Sequence, residues 1–264
     1  ITWNILEYLA LFLIVLLHEF GHALACRQVG GIADQIVLWP LGGVAYVNPP
    51  QRPGAFLWSI AAGPLVNLVL VPVFWVLGRS FGAMGFAETM PDFFLLLQTV
   101  AVINVALLKF NMLPIYPLDG GQILRSLLWF VMGRARSLMA ATAIGLLAVA
   151  GLIVVALRSQ STWYIVIAIF ILMNCWRGWQ QARALLRLAK LPRHREFSCP
   201  SCLTSPPLGE FWRCSKCSKA FDTFQTQATC PQCSAQFATT GCLDCGRSHP
   251  MIEWARSSPV PRPL

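Results

Sequence analysis

Two histidines and a glutamate stand inside a stretch of chain that seeks hydrocarbon. His18-Glu19-Phe20-Gly21-His22 follows the uncharged run from Tyr8 to Leu17. Histidines four residues apart share one face of a helix, so both imidazoles reach a single zinc ion. The glutamate between them is positioned to take a proton from a zinc-bound water. An ionisable group at membrane depth costs roughly 2.5 kcal/mol or more, and metal ligation offsets that cost. A solvated helix is the plain alternative, and the apolar flanks argue against it.

Composition points to the same solvent. Of 264 residues, 56% are hydrophobic and only 12% charged, with a mean hydropathy of +0.60. Such a chain is a polytopic membrane protein and not a soluble globule. About five transmembrane helices are expected, near 3–26, 56–77, 92–113, 138–157 and 162–176, each close to the ~20 residues that cross a bilayer. Pro64 and Pro72 fall inside the second, which membrane helices tolerate when neighbours satisfy the freed backbone. The chain opens on Ile1, so upstream residues are expected. The first apolar run carries the histidines and lacks a small-residue cleavage site behind it, so no cleavable signal peptide is expected.

Lysine and arginine set the orientation. With the amino terminus outside, the inner segments hold Arg27, Arg52, Arg125, Arg134, Arg136 and the basic series from Arg177 to Arg195, while the outer loops hold Arg79 and Arg158. His18, Glu19 and His22 then lie toward the cytoplasmic end of the first span. The expected location is a bacterial cytoplasmic membrane, crossed several times, with the carboxy-terminal domain in the cytoplasm. Between the first two spans, β-prone runs around Pro40-Leu41-Gly42-Gly43 read as a membrane-associated hairpin.

Two histidines leave a catalytic zinc site one protein ligand short. The candidate is Asp119, in Asn111-Met112-Leu113-Pro114-Ile115-Tyr116-Pro117-Leu118-Asp119-Gly120-Gly121. Pro114 and Pro117 end the third span, and the topology brings Asp119 to the depth of His22. An ordinary Asp-Gly turn is the alternative.

At these residues the chain resembles the site-2 protease family of intramembrane zinc metalloproteases. The resemblance is carried by HEFGH at 18–22, Gly63-Pro64-Leu65-Val66-Asn67, Asn111-x-x-Pro114-x-x-x-Leu118-Asp119-Gly120 and the Pro40–Gly43 loop, and it covers about residues 1–135. It implies that His18, His22 and Asp119 bind a catalytic zinc and that Glu19 activates water. It also implies that Asn67 and Asn111 lie near the substrate or its oxyanion, although buried amides also serve as interhelical hydrogen-bonding groups.

The carboxy-terminal part is of another kind. Four CxxC pairs, Cys199/Cys202, Cys214/Cys217, Cys230/Cys233 and Cys242/Cys245, fall within about 50 residues. A disulfide framework suits secreted chains; in a reducing cytoplasm the pairs read as two structural four-cysteine zinc sites. Sequential pairing, giving tandem zinc ribbons, is the simplest arrangement; a cross-brace of pairs one with three and two with four also fits the spacing. Phe211, Trp212, Phe221, Phe224 and Phe237 read as core.

The expected fold is therefore an all-α polytopic membrane protein with a membrane-associated β-hairpin and a small carboxy-terminal zinc-ribbon domain. Its parts are a catalytic core at 1–135, additional membrane helices at 136–180, a basic helical stem at 181–196, the tandem zinc-ribbon domain at 197–250 and a flexible tail at 251–264. The expected function is hydrolysis of peptide bonds in membrane-spanning substrates, in regulated intramembrane proteolysis or clearance of signal-peptide remnants. The alternative is an idle membrane scaffold whose ribbons recruit a partner. The expected metals are one catalytic and two structural Zn2+. The expected partners are a transmembrane substrate, the lipid bilayer, and a cytoplasmic protein or nucleic acid for the tail.

Overall fold

The computed structural model describes residues 2–39 and 42–254. Pro40 and Leu41 of the expected hairpin turn, and residues 255–264 of the expected flexible tail, lie outside the described residues. The chain divides into two compact units, Ile1–Ala182 and Arg183–Leu264.

The first unit is helical. α1 (Thr2–Gln28), α2 (Pro53–Ala83), α4 (Pro91–Asn111), α6 (Arg134–Ser159) and α7 (Thr162–Ala189) are each long and apolar enough to cross a membrane. Their free faces carry the residues hydrocarbon accepts: Leu9 and Leu13 on α1, Val69 and Trp75 on α2, Leu147 and Leu157 on α6. α2 and α4 both begin on a proline, which surrenders no hydrogen bond there. α4 ends at Asn111, three residues before Pro114, as a following proline requires. A single turn, α3 (Phe86–Thr89), joins α2 to α4.

Two elements differ from the sequence reading. The fifth span runs on without a break to Ala189, so the basic stem is largely the last turns of α7. Between the third and fourth spans lies a further helix, α5 (Asp119–Met132), in place of a plain connection. At 1.5 Å per residue its 14 residues reach only about 21 Å, too short to cross. Asp119 occupies its first turn, where a carboxylate is favoured by the helix dipole.

The hairpin forms as expected. β1 (Ile32–Trp39) pairs antiparallel with β2 (Gly42–Asn48), with Ile36 opposite Ala45 and a bulge between Ala33 and Gln35. Ala33, Ile36 and Val47 pack against Ala23 and Cys26 of α1, and Arg27 Nη2 donates to the Ala33 carbonyl at 2.6 Å.

The second unit is built on four copies of one backbone motif. In each CxxC pair the first cysteine's N–H bonds the carbonyl five residues on, and its own carbonyl accepts the N–H four residues on. Cys214 with Lys219 and Ser218, at 2.9 Å each, is representative. The residue after the second cysteine takes positive φ in all four: Leu203, Ser218, Ser234 and Gly246. Two of the turns sit at the tips of short hairpins, β3 (Trp212–Arg213) with β4 (Ala220–Phe221) and β5 (Thr240–Gly241) with β6 (Ser248–His249). Phe221, Phe224 and Trp254 are buried, whereas Phe211 is exposed. The expected boundaries shift at both ends. Arg193 is bound to Asp244 at 2.8 and 3.2 Å and His194 to Asp222 at 2.9 Å, so these residues belong to the domain and not to a stem. The tail's first residues form α8 (Met251–Trp254), which seals the core with Trp254.

Candidate metal centres

In the first unit, α1 presents His18 and His22 on one face, toward α2 and the start of α5. His18 Nε2 lies 3.0 Å from Asp119 Oδ2, His22 Nε2 lies 3.5 Å from the same oxygen, and the two Nε2 atoms are 3.1 Å apart. The other ring nitrogens fix the tautomers. His22 Nδ1–H donates to the Ser59 carbonyl at 2.9 Å, an atom that can only accept. His18 Nδ1–H donates to Asn67 Oδ1 at 2.6 Å. In the neutral rings, the form that ligates a metal, both Nε2 atoms are then lone pairs. Asp119 Oδ2, turned toward both, adds a third acceptor. Three acceptor atoms converging at 3.0–3.5 Å suit a shared cation. Ligand bonds of about 2.0–2.1 Å in tetrahedral geometry put ligand atoms roughly 3.3 Å apart, and the observed triangle matches. The donors fit zinc.

This approach depends on Gly63 of α2. A Cβ built there would collide with His22 Nε2 and lie 2.8 Å from His18 Nε2. Gly63→Ala is expected to push the imidazoles apart and to lower bound zinc well below one per triad, measured by metal analysis of the purified protein. Retention of full zinc would show that the helices yield instead. Gly120 has the same function at the third ligand: its Cβ would strike the Met112 carbonyl, so only glycine lets α5 start against the end of α4.

Glu19 faces the same cavity, of about 590 Å³, whose walls include Val15, Ile60, Leu107 and Phe110. It accepts a hydrogen bond from the Ala45 N–H at 2.8 Å. Gly43, Ala45 and Val47, alternate residues of β2, line this cavity, so the edge of β2 turned away from β1 borders the site. Asn111 lies half-buried on the cavity wall with Gln122 and Asn174. Asn67 is fully buried, its carbonyl committed to His18 and its amide donating to Asn104 Oδ1 at 2.8 Å. Asn104, which the sequence reading passes over, is also fully buried, and its side-chain amide donates back to the main-chain carbonyl of Asn67 at 3.0 Å. The available signal was its spacing: Asn104 stands two helical turns before Asn111, in a span whose other polar residues are Asp92, Gln98, Thr99 and Lys109.

The cysteines of the second unit gather into two groups: Cys199, Cys202, Cys242 and Cys245, and Cys214, Cys217, Cys230 and Cys233. The pairing is nested, first pair with fourth and second with third, and is neither the sequential arrangement nor the cross-brace. Sulfur–sulfur separations are 3.7 and 3.8 Å in the outer group and 3.6 and 3.5 Å in the inner. A disulfide would bring them to about 2.05 Å, whereas tetrahedral zinc with ~2.3 Å bonds sets them roughly 3.8 Å apart. Backbone N–H groups of Cys217 and Lys216 aim at the Cys214 sulfur and, against burial, pull its thiol down.

Comparison with known proteins agrees with this geometry. The model of peptidase family M50 matches residues 7–94 and 87–156. A zinc metalloprotease of Methanocaldococcus jannaschii is 31% identical over 171 residues, 65% of this chain and 48% of that one. A putative zinc metalloprotease of Synechocystis is 30% identical over 180 residues, 65% of this chain and 46% of that one. The chain thus spans about half the length of these curated relatives. A solved site-2 protease from M. jannaschii superposes with a TM-score of 0.51 at 27% identity, covering 65% of this chain and 76% of that one.

Proposed function

Since the chain belongs to peptidase family M50, we propose that it is a zinc-dependent intramembrane protease that cuts membrane-spanning proteins. The observation that carries this reading is the close triangle of His18, His22 and Asp119 ligand atoms beside a buried glutamate in an apolar cavity. His18, His22 and Asp119 would hold the catalytic zinc, and each four-cysteine group would hold a structural one. Zinc, when bound, supplies a Lewis acid that lowers the pKa of its water to about 7.

The protein's own groups do the rest. Glu19 accepts a proton from the attacking water and passes it to the departing amine. Ser59 and Asn67 hold the two imidazoles by their Nδ1–H groups, and Asn104 holds Asn67, so Asn67 is a positioning residue and not an oxyanion donor. Asn111, on the cavity wall, is the better candidate to meet the substrate carbonyl. A helical substrate must unwind to be cut, and the outer edge of β2, on either side of the Ala45 N–H that Glu19 holds, can pair with it by strand addition. The arginine and lysine asymmetry supports an external amino terminus and a cytoplasmic cysteine-rich domain. Closed four-cysteine sites leave no open coordination position, so that domain stabilises and presents a surface, suited to a cytoplasmic protein or nucleic-acid partner, and does no chemistry.

Reconstituted into vesicles and offered a labelled single-span helix, the protein is expected to release fragments cut inside the apolar segment. A chelator is expected to stop the cut and added zinc to restore it. Cleavage unaffected by metal removal would overturn the assignment.

A further inference from the structure

α5 carries a buried arginine, Arg125, whose electrostatic neighbours are the Tyr116 phenol and a second arginine, Arg134. Arg125 is 6% exposed, its Nε has no hydrogen-bond partner, and no carboxylate lies within 4 Å of its guanidinium among the described residues. A buried charge of this kind is costly unless paired. What surrounds it is aromatic: the guanidinium lies 4.9 Å from the Phe56 ring centroid and 5.9 Å from that of Trp129. Rings soften the cost but do not neutralise the charge.

Further positive potential gathers at the same place. Arg134 stacks on the same Trp129 at 5.9 Å, which bounds the separation of the two guanidiniums at twice that distance. Arg134 opens α6, and Arg136 follows in the same turn, with no acid among them. A helix amino terminus favours negative charge, so arginines there add to the positive field and do not balance it. The surface alongside is apolar: Leu127, Phe130 and Val131 of α5 are all exposed, Val131 at 87%. A short helix with an exposed apolar face and a cationic flank is the form of an interfacial, lipid-contacting helix.

We infer that Arg125 and Arg134, which share Trp129, form a site for the phosphate of an anionic phospholipid, whose acyl chains run over the exposed face of α5. The planar guanidinium matches a phosphate oxygen pair in a way a lysine would not. The bound lipid supplies the counter-charge that Arg125 lacks. It also steadies a helix whose first residue is Asp119, linking lipid composition to the metal site. The site itself depends only on the membrane setting, not on peptidase activity.

The test is lipid retention. The full chain is placed in nanodiscs of equal phosphatidylglycerol and phosphatidylcholine, washed in detergent and weighed by native mass spectrometry. Retained lipid is expected to be enriched in phosphatidylglycerol about 30-fold, for two arginines at the membrane surface. Arg125→Gln with Arg134→Gln is expected to abolish the enrichment, and Arg158→Gln, at the far end of α6, to preserve it. Zinc content and melting temperature check that the variants fold; if the double variant does not, Arg134→Gln alone is read for the same loss. Equal retention of both lipids by the native chain, or enrichment that survives Arg134→Gln and the double variant, would overturn the proposal. So would thermal stabilisation by inorganic phosphate that matches stabilisation by the lipid, because it would identify a free-phosphate site.

Discussion

Glu19→Gln is expected to abolish cleavage while leaving the zinc in place. The amide is the same size as the carboxylate and keeps an oxygen to accept the Ala45 N–H, now bonded at 2.8 Å, so the hairpin should stay seated. Glu19 is not among the three converging ligand atoms, so metal affinity should change little. What is lost is the base. General acid–base catalysis contributes about 10²- to 10⁴-fold, and the rate should fall by at least that range. Single-turnover cleavage of a membrane-embedded peptide, read beside metal analysis of the same sample, separates the two effects. The contrast is His22→Ala, which removes a ligand and should lose metal and activity together. Cleavage by Glu19→Gln at the native rate would dismiss the glutamate from the mechanism.

Much of this centre was legible in the sequence because its parts obey short-range rules. The spacing of His18 and His22 is a property of one helix. The depth of Asp119 follows from Pro114 and from counting spans. The hairpin announces itself by β-prone runs about a double glycine. What escaped depends on how distant segments meet. Asp119-Gly120-Gly121 reads as a turn, yet it opens α5, because those glycines let the helix start against the 112–116 segment. Asn104 matters only through Asn67, a contact 37 residues away on another helix. The nested cysteine pairing is likewise a matter of chain path. All four CxxC turns are locally alike, down to the positive φ that follows each, so spacing gives no hint of which turn faces which. Trp254, at the edge of an apparent tail, is a core residue for the same reason.

That pairing carries a prediction with a large effect. Cys242→Ser should open the outer site and leave the inner one closed. With nested pairing, the thiols set free are Cys199, Cys202 and Cys245, whereas sequential pairing would free Cys230, Cys233 and Cys245, and a cross-brace Cys214, Cys217 and Cys245. Brief alkylation of the full chain followed by peptide mass mapping distinguishes the three outcomes. The inner site should hold because its four sulfurs and Phe221, Ala235 and Phe237 form their own cluster. The outer site should not, because structural zinc supplies about 10–16 kcal/mol of folding free energy, more than a small domain has to spare. Loss of that zinc should also loosen Phe224 and Trp254, which pack on Cys199 and Cys242, so indole fluorescence should shift toward that of solvated tryptophan. Inner cysteines protected and outer ones labelled is the pattern the 3.5–3.8 Å sulfur separations require; labelling of all seven remaining zinc-site thiols would mean that the two sites stand or fall together.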